Sequence, residues 1–69
     1  MTKSEAFRNL LQSQELLDEV EAMKKELTDL IINSDDDESS VREAAYVRIK
    51  AINEIMSRFE SIAKDDEIK

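Results

Sequence analysis

The side chains of this chain that could carry out chemistry are hydroxyls and carboxylates. The sequence contains no histidine and no cysteine, so it lacks the usual base near neutral pH and the strongest side-chain nucleophile. Ser13, Ser57 and Ser61 lie in helical stretches without an evident activating group. Asp18 and Glu19 are adjacent and would diverge on a helix. We therefore expect a protein that is not an enzyme, with no cofactor and no small-molecule substrate.

The acidic run at 35–38 is a candidate site for a hard cation, since Ca²⁺ and Mg²⁺ prefer oxygen ligands. However, it lacks the alternate ligand spacing and the turn glycine of a Ca²⁺ loop. Its consecutive side chains would also point in different directions. We therefore predict a solvated connector that leads into a helix, and no metal site.

Length and composition point to a core that is shared between chains. The chain has 69 residues, of which 39% are charged. A chain of this size buries about 60% of its unfolded surface, and its own core rarely supplies more than about 3–5 kcal/mol. Disulfides and zinc sites built on cysteine or histidine are excluded. Association with another chain is therefore the expected route to stability.

The charge balance disfavours two classes of partner. The net charge is −7, which should repel nucleic acid and anionic membrane surfaces. No uncharged stretch approaches the roughly 20 residues of a membrane span. We expect a cytoplasmic protein without membrane contact.

The sequence predicts two long helices. It has no glycine and no proline, and its main polar cluster is at 33–40. Thr2-x-x-Glu5 and Ser40-x-x-Glu43 have the form of capping boxes at two helix starts. The prediction is a single all-α domain over 1–69, an antiparallel two-helix hairpin. Its parts are helix 1 at about 3–33, an acidic connector at 34–39, helix 2 at about 40–64 and a frayed tail at 65–69.

Apolar residues form a seam along each predicted helix. Alternating steps of four and three connect Leu16, Val20, Met23, Leu27 and Leu30 in the first helix, and Ala45, Ile49, Ile52, Met56, Phe59 and Ala63 in the second. Val41, Ala44, Ile55 and Ile62 widen the second seam. In a hairpin, Met23 would lie level with Ile49 and Val20 with Ile52, while Phe59 would face the polar gap at 12–14.

The second face is too wide for one neighbouring helix to cover. We therefore expect a homodimer, formed by two hairpins packed as a coiled-coil-like four-helix bundle, or docking on a helical protein partner. The expected interface consists of Val41, Ala44, Ala45, Arg48, Ile49, Ile52, Ile55, Met56, Phe59 and Ile62.

Arg48 and Tyr46 are the two polar candidates on the second helix. Arg48 would fix the register by pairing with Glu21, with Glu26 or with a carboxylate of the partner. Alternatively, its stem packs while its charged head reaches water. Tyr46 lies off the main seam and is a candidate exposed contact with a partner.

The Met1-Thr2-Lys3 start, the length and the two-helix layout resemble the plasmid RNA-binding regulators of the Rop type. The resemblance covers architecture over the whole chain and no motif, and the heptad contents differ. It implies hairpins that dimerise into a four-helix bundle, and it does not carry RNA binding over.

The main expectation is a small acidic interaction protein that acts as a regulator, adaptor or co-chaperone. One alternative is a Rop-like nucleic-acid-binding hairpin dimer that uses Arg42, Lys50 and Arg58. Glu43 and Glu54 interrupt those charges, so the basic surface typical of such proteins is missing. Another alternative is an acidic decoy of a nucleic-acid-binding protein, as phages and plasmids encode.

Overall fold

The computed structural model describes residues 2–65, in which all regular structure is helical. Helix α1 spans Lys3–Leu11, α2 spans Gln14–Asn33 and α3 spans Ser39–Ala63. Helix α3 packs against both α1 and α2. The prediction of an all-α fold is therefore confirmed.

The molecule is long and thin. Its principal extents are 51 × 22 × 12 Å, and the smallest is close to the roughly 10–12 Å diameter of one helix with side chains. The radius of gyration is 15.6 Å, whereas a compact domain of this length would have about 11 Å. The helices thus form one layer, which leaves both of its broad sides open.

The prediction of a single first helix over 3–33 is wrong, because the helix breaks at Gln12 and Ser13. Ser13 has an extended backbone, with φ −73° and ψ 114°, and its Oγ accepts the N–H of Leu16 at 3.3 Å. The N–H groups of Gln12 and Ser13 bond back to Asn9 and Leu10 at 3.2 and 3.1 Å. A serine hydroxyl that accepts a nearby backbone N–H favours a helix start over a helix interior. The polar gap is therefore a helix boundary.

Replacement of Ser13 by alanine should test this boundary. S13A removes the side-chain acceptor at the start of α2, and we expect the free energy of unfolding to fall by about 1 kcal/mol. S13D retains an acceptor and should stay within a few tenths of a kcal/mol of the wild type. Urea unfolding followed by circular dichroism measures both. Equal stability of all three proteins would contradict this role.

The capping box predicted at Ser40 is also wrong. Helix α3 begins at Ser39, and its N-cap Glu38 makes no side-chain capping bond. The Glu38 carboxylate instead accepts the N–H of Asp35 at 2.8 Å. The guanidinium of Arg42 donates to the carbonyl of Asp35 at 2.6 Å and to that of Asp36 at 3.3 Å. An arginine in the first turn thus closes the acidic connector.

The predicted helix ends at positions 3 and 64 can be compared with the structure. At the start, the N–H of Glu5 donates to Thr2 Oγ1 at 3.1 Å, which confirms the hydroxyl cap. At the other end α3 stops at Ala63, one residue before the predicted end. The predicted frayed tail lies outside the described residues from position 66 onward.

The core is small. Within residues 2–65 the buried apolar residues are Val20, Ala45 and Ala63, and no large side chain is fully enclosed. The rings of Phe7 and Phe59 meet edge to face with centroids 5.2 Å apart, so Phe59 is engaged by an aromatic partner on α1. The core therefore leaves much of each apolar seam partly exposed.

Candidate protein-interaction surface

The ten residues predicted to form the interface differ in how much of their surface is exposed to solvent. Ala45 is 1% exposed, so it packs inside its own chain and does not belong to an outer interface. The others retain exposed surface: Ala44, Arg48 and Ile55 are exposed, and Val41, Ile49, Ile52, Met56, Phe59 and Ile62 are half-buried.

An open apolar groove lies between α2 and α3. It has a volume of about 380 Å³. Met23 and Ile55, two of its large apolar residues, are 44% and 52% exposed. We call it the α2–α3 groove, and its lining residues are Met23, Glu26, Leu27, Arg48, Ala51, Ile52 and Ile55.

The α2–α3 groove continues along α3. A second depression of about 410 Å³ shares Ala51 and Ile55 with it and extends to Glu54, Arg58 and Phe59. The small side chain of Ala51 lies where the two depressions join. The open apolar surface is therefore a continuous strip.

Sequence reasoning missed the contribution of α2 to this surface. The apolar repeat predicts that Met23 and Leu27 lie in the seam inside the hairpin, and it predicts Glu26 only as a partner for Arg48. A signal does exist, because alternating steps of four and three define a second line on each helix. These lines are Glu19, Met23, Glu26 and Leu30 on α2, and Ala44, Arg48, Ala51, Ile55, Arg58 and Ile62 on α3. Each line contains charged residues, so neither line stands out as an apolar repeat in the sequence.

The chain exposes more surface than its size requires. Its accessible surface is 5429 Å², whereas a compact monomer of 8.0 kDa would expose about 4,450 Å². An accessible area above that of a compact monomer is expected for a molecule as long and thin as this one.

Arg48 forms neither of the pairs predicted within its own chain. Glu21 lies 3.8 Å from the ammonium of Lys24 instead. Arg48 and Glu26 both line the α2–α3 groove, and both are exposed. Neither makes an ion pair with another side chain of residues 2–65.

Tyr46 and Val47 are exposed outside the α2–α3 groove. Tyr46 is 58% exposed and Val47 is 62% exposed. The ammonium of Lys50 lies 5.6 Å from the centre of the Tyr46 ring. This tyrosine therefore remains accessible as a contact, although it is separate from the apolar strip.

The polar candidates form local contacts. Arg42, one of three basic residues considered for nucleic-acid binding, donates to Ser34 Oγ at 3.0 Å as well as to the connector carbonyls. No group of three or more acidic side chains within residues 2–65 is arranged to hold a metal ion. Ser13, the first candidate hydroxyl, caps α2.

No protein-family model matches the chain, and neither a curated protein nor a solved structure matches it. In the part of the chain that the structure describes, no helix combines the length and the apolar character needed to cross a membrane.

Proposed function

We propose that this chain is a non-enzymatic interaction protein, an antiparallel helical hairpin that self-associates through the α2–α3 groove into a four-helix bundle. Contacts at both ends of α3 support the hairpin. Near its end, the carbonyl of Ala63 accepts from Arg8 Nη1 at 2.7 Å. Near its start, Arg42 bonds to the connector that follows α2. In this proposal α1 and α2 together form one arm, and α3 forms the other.

The observation that carries the proposal is the exposure of apolar side chains along one side of the layer. Met23, Leu30 and Ile55 are 44%, 45% and 52% exposed. Met23 and Ile55 line the α2–α3 groove, and Leu30 follows Glu26 on the same line of α2. Removal of apolar surface from water contributes about 25 cal/mol per Å², so a second layer on this side would supply the stabilisation that the small core lacks.

The role that fits this arrangement is binding rather than catalysis. A regulator, adaptor or co-chaperone needs a stable helical surface and no reactive centre. The charge of −7 also disfavours a nucleic-acid partner. Arg42 is engaged with the connector, which weakens the Rop-like alternative further.

Sedimentation equilibrium tests the proposal. We expect a mass of twice the 8.0 kDa of one chain at micromolar concentration, with dissociation on dilution. Circular dichroism on the same samples reports whether the chain is folded. A folded and stable monomer throughout the micromolar range would contradict self-association.

A further inference from the structure

We propose that two copies dock around a two-fold axis parallel to the helices, so that Glu26 of each copy pairs with Arg48 of the other. This inference rests on the proposed function, and it identifies the partner of the α2–α3 groove as a second copy in one defined orientation. It also gives a role to two charged residues that line an otherwise apolar groove.

Two opposite charges lie at the same groove on different helices. Glu26 lies on α2, Arg48 lies on α3, and both line the same groove. They are therefore at a similar height along the molecule, on opposite sides of the apolar floor. Both are exposed, and they do not form an ion pair with each other. A carboxylate and a guanidinium held apart across one groove can each pair with the opposite charge on another molecule.

The two lines of residues defined above on α2 and α3 carry charges of opposite sign. The α2 line carries Glu19 and Glu26, both exposed, and no basic residue. The α3 line carries Arg48 and Arg58, both exposed, and no acidic residue. Neither arginine forms an ion pair with a carboxylate of residues 2–65. The lining of the α2–α3 groove itself carries one acidic residue, Glu26 on α2, and one basic residue, Arg48 on α3, which makes it complementary to a second copy.

Symmetry then determines the orientation. A two-fold axis parallel to the helices places α2 of one copy against α3 of the other and keeps residues at the same height. Glu26 then meets the partner's Arg48 twice in the dimer. A two-fold axis across the helices would place α2 against α2 and α3 against α3, so that like charges face each other. Like-charge contacts disfavour an interface, so the parallel axis is the arrangement that the charges support.

The test uses two charge reversals, E26R and R48E. In a dimer of either variant alone, both pairs become like-charged, and we expect the dissociation constant to rise about tenfold or more. In a mixture of the two variants, each Arg–Glu contact is attractive again. We therefore expect a heterodimer about as tight as the wild-type dimer. Pairing within one chain could not produce this result, because each variant carries two like charges at these positions.

Matched controls account for the change in total charge. E43R and K50E make the same charge changes on α3 outside the α2–α3 groove, and they should change the dissociation constant by less than about threefold. Affinities are measured by sedimentation equilibrium on singly labelled chains, after the chains have been exchanged by unfolding and refolding.

The outcomes separate the two proposals. A wild-type dimer whose affinity is not restored by mixing E26R with R48E would overturn the pairing and leave self-association in place. E26R and R48E variants that behave like their controls would do the same. A wild-type monomer would overturn both proposals.

Discussion

Replacement of Ile55 by aspartate is expected to dissociate the protein into monomers. Ile55 is 52% exposed in the single chain and would be covered in the dimer. A carboxylate there would have to lose its water without a partner, once in each copy. Burial of an unpaired polar group costs several kcal/mol, so we expect the dissociation constant of I55D to rise by about 100-fold or more. Sedimentation equilibrium measures the change.

Val47→Asp is the matched control for Ile55→Asp. Val47 is a branched aliphatic residue on the same helix, is 62% exposed and lies outside the α2–α3 groove. V47D therefore carries the same helix-propensity cost and the same added charge without entering the interface. Equal dimer affinity for I55D and V47D would show that the groove is not the contact surface.

Replacement of Phe59 by alanine is expected to release α1 from the rest of the molecule. The edge-to-face contact between Phe7 and Phe59 and the bond from Arg8 to the carbonyl of Ala63 connect α1 to α3. Truncation of a packed phenylalanine costs about 3 kcal/mol, which is most of what a core of this size supplies. Amide hydrogen exchange should show the largest loss of protection in α1.

Two variants control for the loss of Phe59. F59L keeps apolar volume at this position and should cost about 1 kcal/mol. Y46A removes an exposed ring from the same helix and should leave α1 protected. Uniform loss of protection in all three helices of F59A, together with a similar loss in Y46A, would contradict a local role for the aromatic pair.

The sequence predicts the helical class and most of the helix ends. The apolar repeats and the lack of glycine and proline place the end of α2 at Asn33 and the start of α3 within one residue of Ser40. The sequence does not predict the break at Ser13, because serine is compatible both with a helix interior and with a cap. The choice between the two depends on backbone bonds that the pattern of apolar residues does not report.

The interaction surface could be predicted only in part. Periodicity predicts a wide apolar face on α3, and Ile55 on that face is exposed in the structure. It does not show that Ala45 is enclosed while Met23 is 44% exposed. Which apolar residues are enclosed and which are exposed depends on how far each helix is rotated about its own axis. Small differences in this rotation decide which of two adjacent apolar lines is buried.

Two arginines of α3 likewise have surroundings that periodicity does not predict. Arg42 and Arg48 are separated by less than two helical turns. The sequence places Arg48 in the predicted interface and Arg42 among the basic residues of the nucleic-acid alternative, but it does not indicate that Arg42 binds the connector. In the structure Arg42 donates to three oxygen atoms of Ser34, Asp35 and Asp36, whereas Arg48 lines the groove. Proximity to the connector, rather than residue type, decides which arginine closes a loop and which is available to a partner.

The central claim is that the apolar side of the α2–α3 layer is covered by a second copy of the chain. The most direct measurement is isotope-filtered NMR on an equal mixture of labelled and unlabelled protein, observing the methyl groups of Met23 and Ile55. We expect contacts between these methyl groups and protons of the unlabelled copy. Methyl groups that contact only their own chain and remain exposed to water at millimolar concentration would contradict the claim.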